Sequence, residues 1–155
     1  MSVNVYLNFD GNTAQAIDFY SEVFDSSKVK KVKFKDFSQD PNYPLPENEL
    51  DMIMESSIEF AEGIIMMSDI LPSMKKVTGE LIKGNNMLIS IVIEDKQSLE
   101  KYFSNLSVGG YVIMPLSNTP WSSCFGMVVD KFGVTWKFNS DAFKFLDSLN
   151  SSKNS

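Results

Sequence analysis

One order of hydrophobic periodicities occurs twice along these 155 residues, and a chain built that way has few folds open to it. From Val3 to Phe9, apolar Val3, Val5, Leu7 and Phe9 alternate with Asn4, Tyr6 and Asn8, the period of a strand with two unlike faces. Asp10-Gly11-Asn12-Thr13 is a turn with good helix caps, and Ala16, Ile17, Tyr20, Val23 and Phe24 follow at helical spacing. Val29 to Phe37, Leu50 to Phe60 and Gly63 to Ser68 read as three strands, with the Pro-rich segment Asp40 to Glu47 as a loop. The β-α-β-β-β order then returns. Met87 to Ile93 is β-prone, and Leu99, Tyr102, Phe103 and Leu106 share one helical face that stops at Gly109-Gly110. Tyr111 to Leu116, Trp121 to Val129 and Val134 to Phe138 supply three more strands. Gly63 to Met67 can be laid on Gly133 to Lys137. The expected organisation is one domain over 1–155: a module over 1–70, a connector over 71–85, a second module over 86–140 and a C-terminal helix over 141–150. The Ser/Asn-rich end from Asn150 is expected to fray.

Two absences narrow the chemistry. The chain has no histidine, so the commonest general base at neutral pH and the commonest transition-metal ligand are both missing. Its single cysteine, Cys124, cannot form an intrachain disulfide or a Cys-rich zinc site, which suits a reducing compartment. Cys124 reads as a small buried hydrophobe, because no imidazole stands ready to lower its pKa. Fourteen Lys+Arg against twenty Asp+Glu give a formal charge of -6, which disfavours a nucleic-acid partner. No apolar run reaches the roughly 18 residues of a membrane span, and Met1-Ser2-Val3-Asn4 does not open a signal peptide. A cytoplasmic protein without a membrane partner is expected.

Other polar residues have structural readings. Asp10 and Asp95 open equivalent helices and are expected to cap them, and Asp130 is expected to shape a hairpin turn. Lys28, Lys30, Lys31, Lys33 and Lys35 form a basic strand that either protects a sheet edge or offers an anion-binding stripe. No pair of carboxylates has a spacing that specifies acid/base work.

Tyr6-Leu7-Asn8-Phe9, Ala16-Ile17-Asp18-Phe19-Tyr20, Met114-Pro115-Leu116 before Trp121, Phe125-Gly126 and Asp130-Lys131-Phe132-Gly133-Val134-Thr135-Trp136 come in the order and spacing of a known family. Together they resemble the PhnB-like branch of the vicinal oxygen chelate superfamily, which includes glyoxalase I, extradiol dioxygenases and bleomycin-resistance proteins. The resemblance covers nearly the whole chain. It implies an α+β fold of two βαβββ modules, whose mixed sheets curl into a cup, and a homodimer in which cups form or complete ligand clefts.

The resemblance also implies where a metal would sit. Metal-dependent members place His, Gln or Glu on cup-facing positions of the first and last strand of each module. In this chain those positions map to Asn4, Met67, Met87 and Lys137. An ammonium is a cation with no free lone pair, and none of the four is a usual hard-metal ligand, so no metal and no cofactor are expected. No metal-dependent glyoxalase or dioxygenase activity is expected either. Members of this branch are sometimes labelled demethylubiquinone methyltransferases, yet the chain has no Gly-rich strand-to-helix turn to cradle a nucleotide-like cofactor.

The cup-facing set is expected to be Asn4, Tyr6, Asn8, Met67, Met87, Lys137 and Asn139, with Met114, Trp121 and Phe125 near its rim. Aromatic and Met surface with a few polar groups suits a small-molecule pocket. Three functions remain open at this point: a metal-independent small-molecule binding protein, a lyase or isomerase working through Lys137 or Tyr6, and an interaction dimer with a filled cup.

Overall fold

The computed structural model describes residues Met1–Ser151. The chain divides into two compact units, Met1–Ile82 and Lys83 onward. In the first, β1 (Val5–Phe9) leads into α1 (Thr13–Val23), β2 (Lys28–Lys33), β3 (Ile53–Phe60) and β4 (Gly63–Asp69), followed by the short α2 (Lys75–Thr78). In the second, β5 (Ile89–Val92) leads into α3 (Lys96–Ser107), β6 (Tyr111–Thr119), β7 (Ser122–Val129), β8 (Thr135–Asn139) and α4 (Ala142–Ser151). Each unit holds one open mixed sheet, ordered β1-β4-β3-β2 in the first and β5-β8-β7-β6 in the second. In both, the outer first strand runs parallel to the last and the remaining pairs are antiparallel.

Helix and sheet meet along one face in each unit. Ala16, Ile17, Tyr20 and Val23 of α1 are buried, and α1 packs on β3 and β4. The sheet residues beneath it include Phe9, Ile58, Ile65 and Met67. In the second unit Leu99, Phe103 and Leu106 of α3 are buried over Cys124, Val128, Trp136 and Phe138. Phe103 meets Phe138 edge-on at 5.6 Å between ring centres. Because side chains alternate across a strand, everything between these positions faces away from the helix. That second face is called the open face below.

Several elements depart from expectation for local reasons. β2 ends at Lys33, because Asp36 accepts from the Lys33 amide and the chain tightens into a 3-10 turn over Phe34–Asp36. Asp10 does not cap α1. The Thr13 amide and hydroxyl donate instead to Asp69 Oδ1, at 3.0 and 2.6 Å, while Asp69 Oδ2 accepts the Ile53 amide. Asp10 pairs with Lys75 at 3.4 Å. Asp95 does cap α3, accepting the Ser98 amide at 3.1 Å. The connector contains a 3-10 turn over Pro72–Met74, tied down by buried Glu49, which accepts the Ser73 amide at 2.7 Å and its hydroxyl at 2.6 Å. Asn150 and Ser151 belong to α4, and the rest of the end expected to fray lies outside the described residues.

Candidate functional site

The two open faces have the same construction and different chemistry. On β1, Tyr6 and Asn8 point to the open face and pair in register with Met66 and Ser68 of β4. Ser57 of β3 lies beside Met66, and Lys30 beside Ser57. On β5, Ser90 pairs with Lys137 of β8, whose other neighbour is Met127 of β7, followed by Met114 of β6. Tyr6 with Met66 and Ser90 with Lys137 are therefore equivalent pairs on the first and last strands of the two units.

This register corrects one expectation. Met67 is fully buried on the helix face in line with Leu7 and Ser56, and it does not join Tyr6 and Asn8. The cause is hairpin length. Phe60 pairs with Gly63 across two residues, whereas Asp130 bonds Val134 across Lys131-Phe132-Gly133, with Gly133 at φ 87 completing the turn. One extra residue moves the equivalent of Lys137 from Met67 to Met66, and a one-residue slip exchanges the two faces.

The remaining expected residues fall into three groups. Tyr6, Asn8, Lys137, Asn139, Phe125 and Met114 occupy open-face strand positions. Asn139 and Phe125 are neighbours across β8 and β7, and Trp121 meets the Phe125 ring edge-on at 5.7 Å. Asn4 and Met87 precede β1 and β5, outside the strands; Asn4 donates to Ser2 and Met87 is 79% exposed. Ser90, Met127, Met66 and Ser68 were missed; strand alternation combined with hairpin length is the signal that locates them.

Tyr6 is the polar centre of the first open face. Burial pushes its phenol above the ordinary value, against a Ser68 hydrogen bond that lowers it, and the nearby Glu55 carboxylate adds to the rise. A phenol held in its protonated form is a hydrogen-bond donor and a poor general base at neutral pH. The lysines of β2 and the turn after it are largely answered locally. Lys28 and Lys30 face Glu59 at 3.7 and 3.9 Å, and Lys33 and Lys35 face Asp51 at 3.0 and 2.6 Å. A depression of about 270 Å³ between Lys30, Val32, Glu55, Ser57 and Met66 is correspondingly mixed in charge. On the second open face, a depression of about 500 Å³ is lined by Tyr111, Val129 and Thr135 together with Lys83, Gly84 and Asn85.

The donors at the equivalent positions do not suit a divalent ion. Tyr6 is held protonated, Met66 offers only a thioether, Ser90 a neutral hydroxyl and Lys137 a repelling ammonium. Among the described residues no three His, Cys, Asp or Glu side chains gather as a metal site. A nucleotide-like cofactor fits no better at the β1–α1 turn, where the Asp69 carboxylate already occupies the first amide of α1. Cys124 is buried, and desolvation raises its thiol pKa, which disfavours the reactive thiolate. No helix among the described residues is long and apolar enough to cross a membrane.

Comparison with known proteins agrees with this geometry. Residues 2–139 match the model of the family described as 3-demethylubiquinone-9 3-methyltransferase. Protein YjdN of Escherichia coli is 30% identical over 147 residues, covering 90% of this chain and 95% of the relative. The crystal structure of protein PA1353 from Pseudomonas aeruginosa is 29% identical, with a TM-score of 0.75 over 91% of this chain and 98% of that one. A glyoxalase/bleomycin resistance protein/dioxygenase family enzyme from Burkholderia phytofirmans shares the fold, at a TM-score of 0.56 and 12% identity over 88% of this chain and 95% of its own.

Proposed function

The chain belongs to the 3-demethylubiquinone-9 3-methyltransferase family, with the glyoxalase-like fold, and from that membership we propose a small-molecule binding protein that works without a metal. The observation carrying this reading is the donor set of the two equivalent strand pairs, Tyr6 with Met66 and Ser90 with Lys137, which replaces imidazole and carboxylate with phenol, thioether, hydroxyl and ammonium. The surroundings support capture of a guest: Met114, Phe125 and Met127 supply contact area on the second open face, and Val129, two residues beyond Met127 on the same face, borders a depression of about 500 Å³. Tyr6, Asn8, Lys137 and Asn139 are the polar groups available to orient it. The protonated state of Tyr6 counts against a tyrosine base.

We propose further that the protein is a homodimer. β6 is an outer strand on which Val112 and Ile113 are exposed, and Phe143 and Leu146 of α4 are exposed as well. Such apolar surface is what a partner chain covers.

The test is metal analysis of protein purified without chelator, alongside turnover of the methylglyoxal–glutathione adduct with and without divalent ions, and a thermal-shift screen of small molecules. The expected result is far less than one metal per chain, no metal-stimulated turnover, and compounds that raise the unfolding midpoint by binding the native state. Stoichiometric metal or metal-dependent turnover overturns the reading.

A further inference from the structure

We propose that the open face of the second unit takes a small organic anion, an apolar body bearing one negatively charged group, with Lys137 as its charge anchor. This rests on the reading of that face as a ligand site and goes beyond it by fixing the ligand's charge.

Strands β5 to β8 carry one charged side chain among them, Lys137, and it lies on an inner strand of the sheet between β5 and β7. The residue is half-buried, and its register neighbours Ser90 and Met127 have no charge to offer. Among the described residues no carboxylate forms an ion pair with it, whereas four lysines in and beside β2 face Glu59 or Asp51. A cation that has lost part of its hydration gains from a counter-ion, and the anionic group of a ligand supplies one. The adjacent depression points the same way. Its lining of Tyr111, Val129, Thr135, Gly133, Asn85 and Lys83 includes a second cation and no carboxylate. Thr135 stands two residues from Lys137 on the same face of β8, about 7 Å along the strand. An anion anchored at Lys137 can therefore lay its apolar body over Met127 and Val129 toward Tyr111, in a volume of the size small ligands occupy. The occupant argued for is a small molecule, because the depression of about 500 Å³ has the size that small ligands fill; a carboxylate from a second copy is the rival outcome.

The experiment is calorimetric titration of the full chain with phenylacetate and with its neutral analogue phenylacetamide, at low and high NaCl, for the wild type, Lys137→Met and Lys137→Gln, with sedimentation of each protein alone. Wild type is expected to bind phenylacetate at least about tenfold more tightly than phenylacetamide, as a charge-assisted hydrogen bond provides. Salt is expected to erode that preference, and both variants to reduce it to about unity. Equal affinity of the wild type for the two probes, or a preference that survives in both variants, overturns the anion assignment and leaves the ligand-site reading standing. Failure of the wild type to bind either probe overturns both. A changed oligomeric state in the variants without probe assigns Lys137 to a partner's carboxylate and also overturns the proposal. The wild-type comparison decides by itself where a variant does not fold.

Discussion

Asp130 shows how much one side chain organises in the second unit. It is 3% exposed, its Oδ1 accepts the Phe132 and Val134 amides at 2.8 and 3.0 Å, and its Oδ2 accepts the Trp136 indole N–H at 2.8 Å. The residue therefore shapes the turn, as its position in the sequence suggests, and also fixes the largest buried side chain of the core. Asp130→Ala leaves the buried indole donor and two amides without this acceptor, and a loss of about 2–4 kcal/mol in denaturant unfolding is expected. Asp130→Asn, which keeps one acceptor oxygen, is expected to lose about half as much. Equal stability of the wild type and both variants would show that water replaces the carboxylate.

At the scale of elements, the corner joining β7, β8 and α4 depends on charge. Asp141 Oδ2 accepts from the Ser123 amide at 2.7 Å and from the Ser123 and Ser140 hydroxyls at 2.6 and 2.7 Å, which hold its carboxyl down at about 2. A folded-state value below the unfolded one stabilises the protein wherever the carboxylate is ionised, and the contribution fades as pH falls from near 3.8 through about 2. The thermal midpoints of wild type and Asp141→Asn should therefore differ at pH 5, converge below pH 4 and coincide below about 2; parallel curves would refute the assignment. The passage from α3 into β6 depends on space instead. A Cβ at Gly110 would collide with the Val129 carbonyl oxygen and approach the Asp130 backbone to 2.9 Å. Neither is a flexible side chain able to yield, so Gly110→Ala is expected to cost about 1–3 kcal/mol in equilibrium unfolding, against a few tenths for an exposed substitution such as Ser104→Ala.

For the whole molecule, the exposed apolar residues Val112 and Ile113 of β6 and Phe143 and Leu146 of α4 lead to an expected sedimentation mass of twice the chain, with Ile113→Lys shifting it toward one chain mass. A wild-type monomer at micromolar concentration would refute the dimer. Much of the fold was legible in the residues: the period of two in Val3 to Phe9, the helical stripes and the repeated order all report local burial, which a strand or helix records in its own sequence. The same alternation assigned Lys137 to the face opposite Trp136 and Phe138. Met67 was misplaced because its facing depends on the length of a hairpin, and a repeat aligned on Gly63 and Gly133 does not register one added residue. The cap of α1 was assigned to the wrong aspartate because Asp69 reaches Thr13 from the end of another strand. The role of Glu49 carries no local signal in the sequence, because Ser73, whose amide and hydroxyl donate to it, lies 24 residues further on. The sequence by itself determined the repeated order of strands and helices and the donor chemistry each side chain can offer, since periodicity and functional groups are properties of the residues. Only tertiary structure decided which of those side chains meet and that, among the described residues, no carboxylate pairs with Lys137, because register and pairing are set between strands distant along the chain.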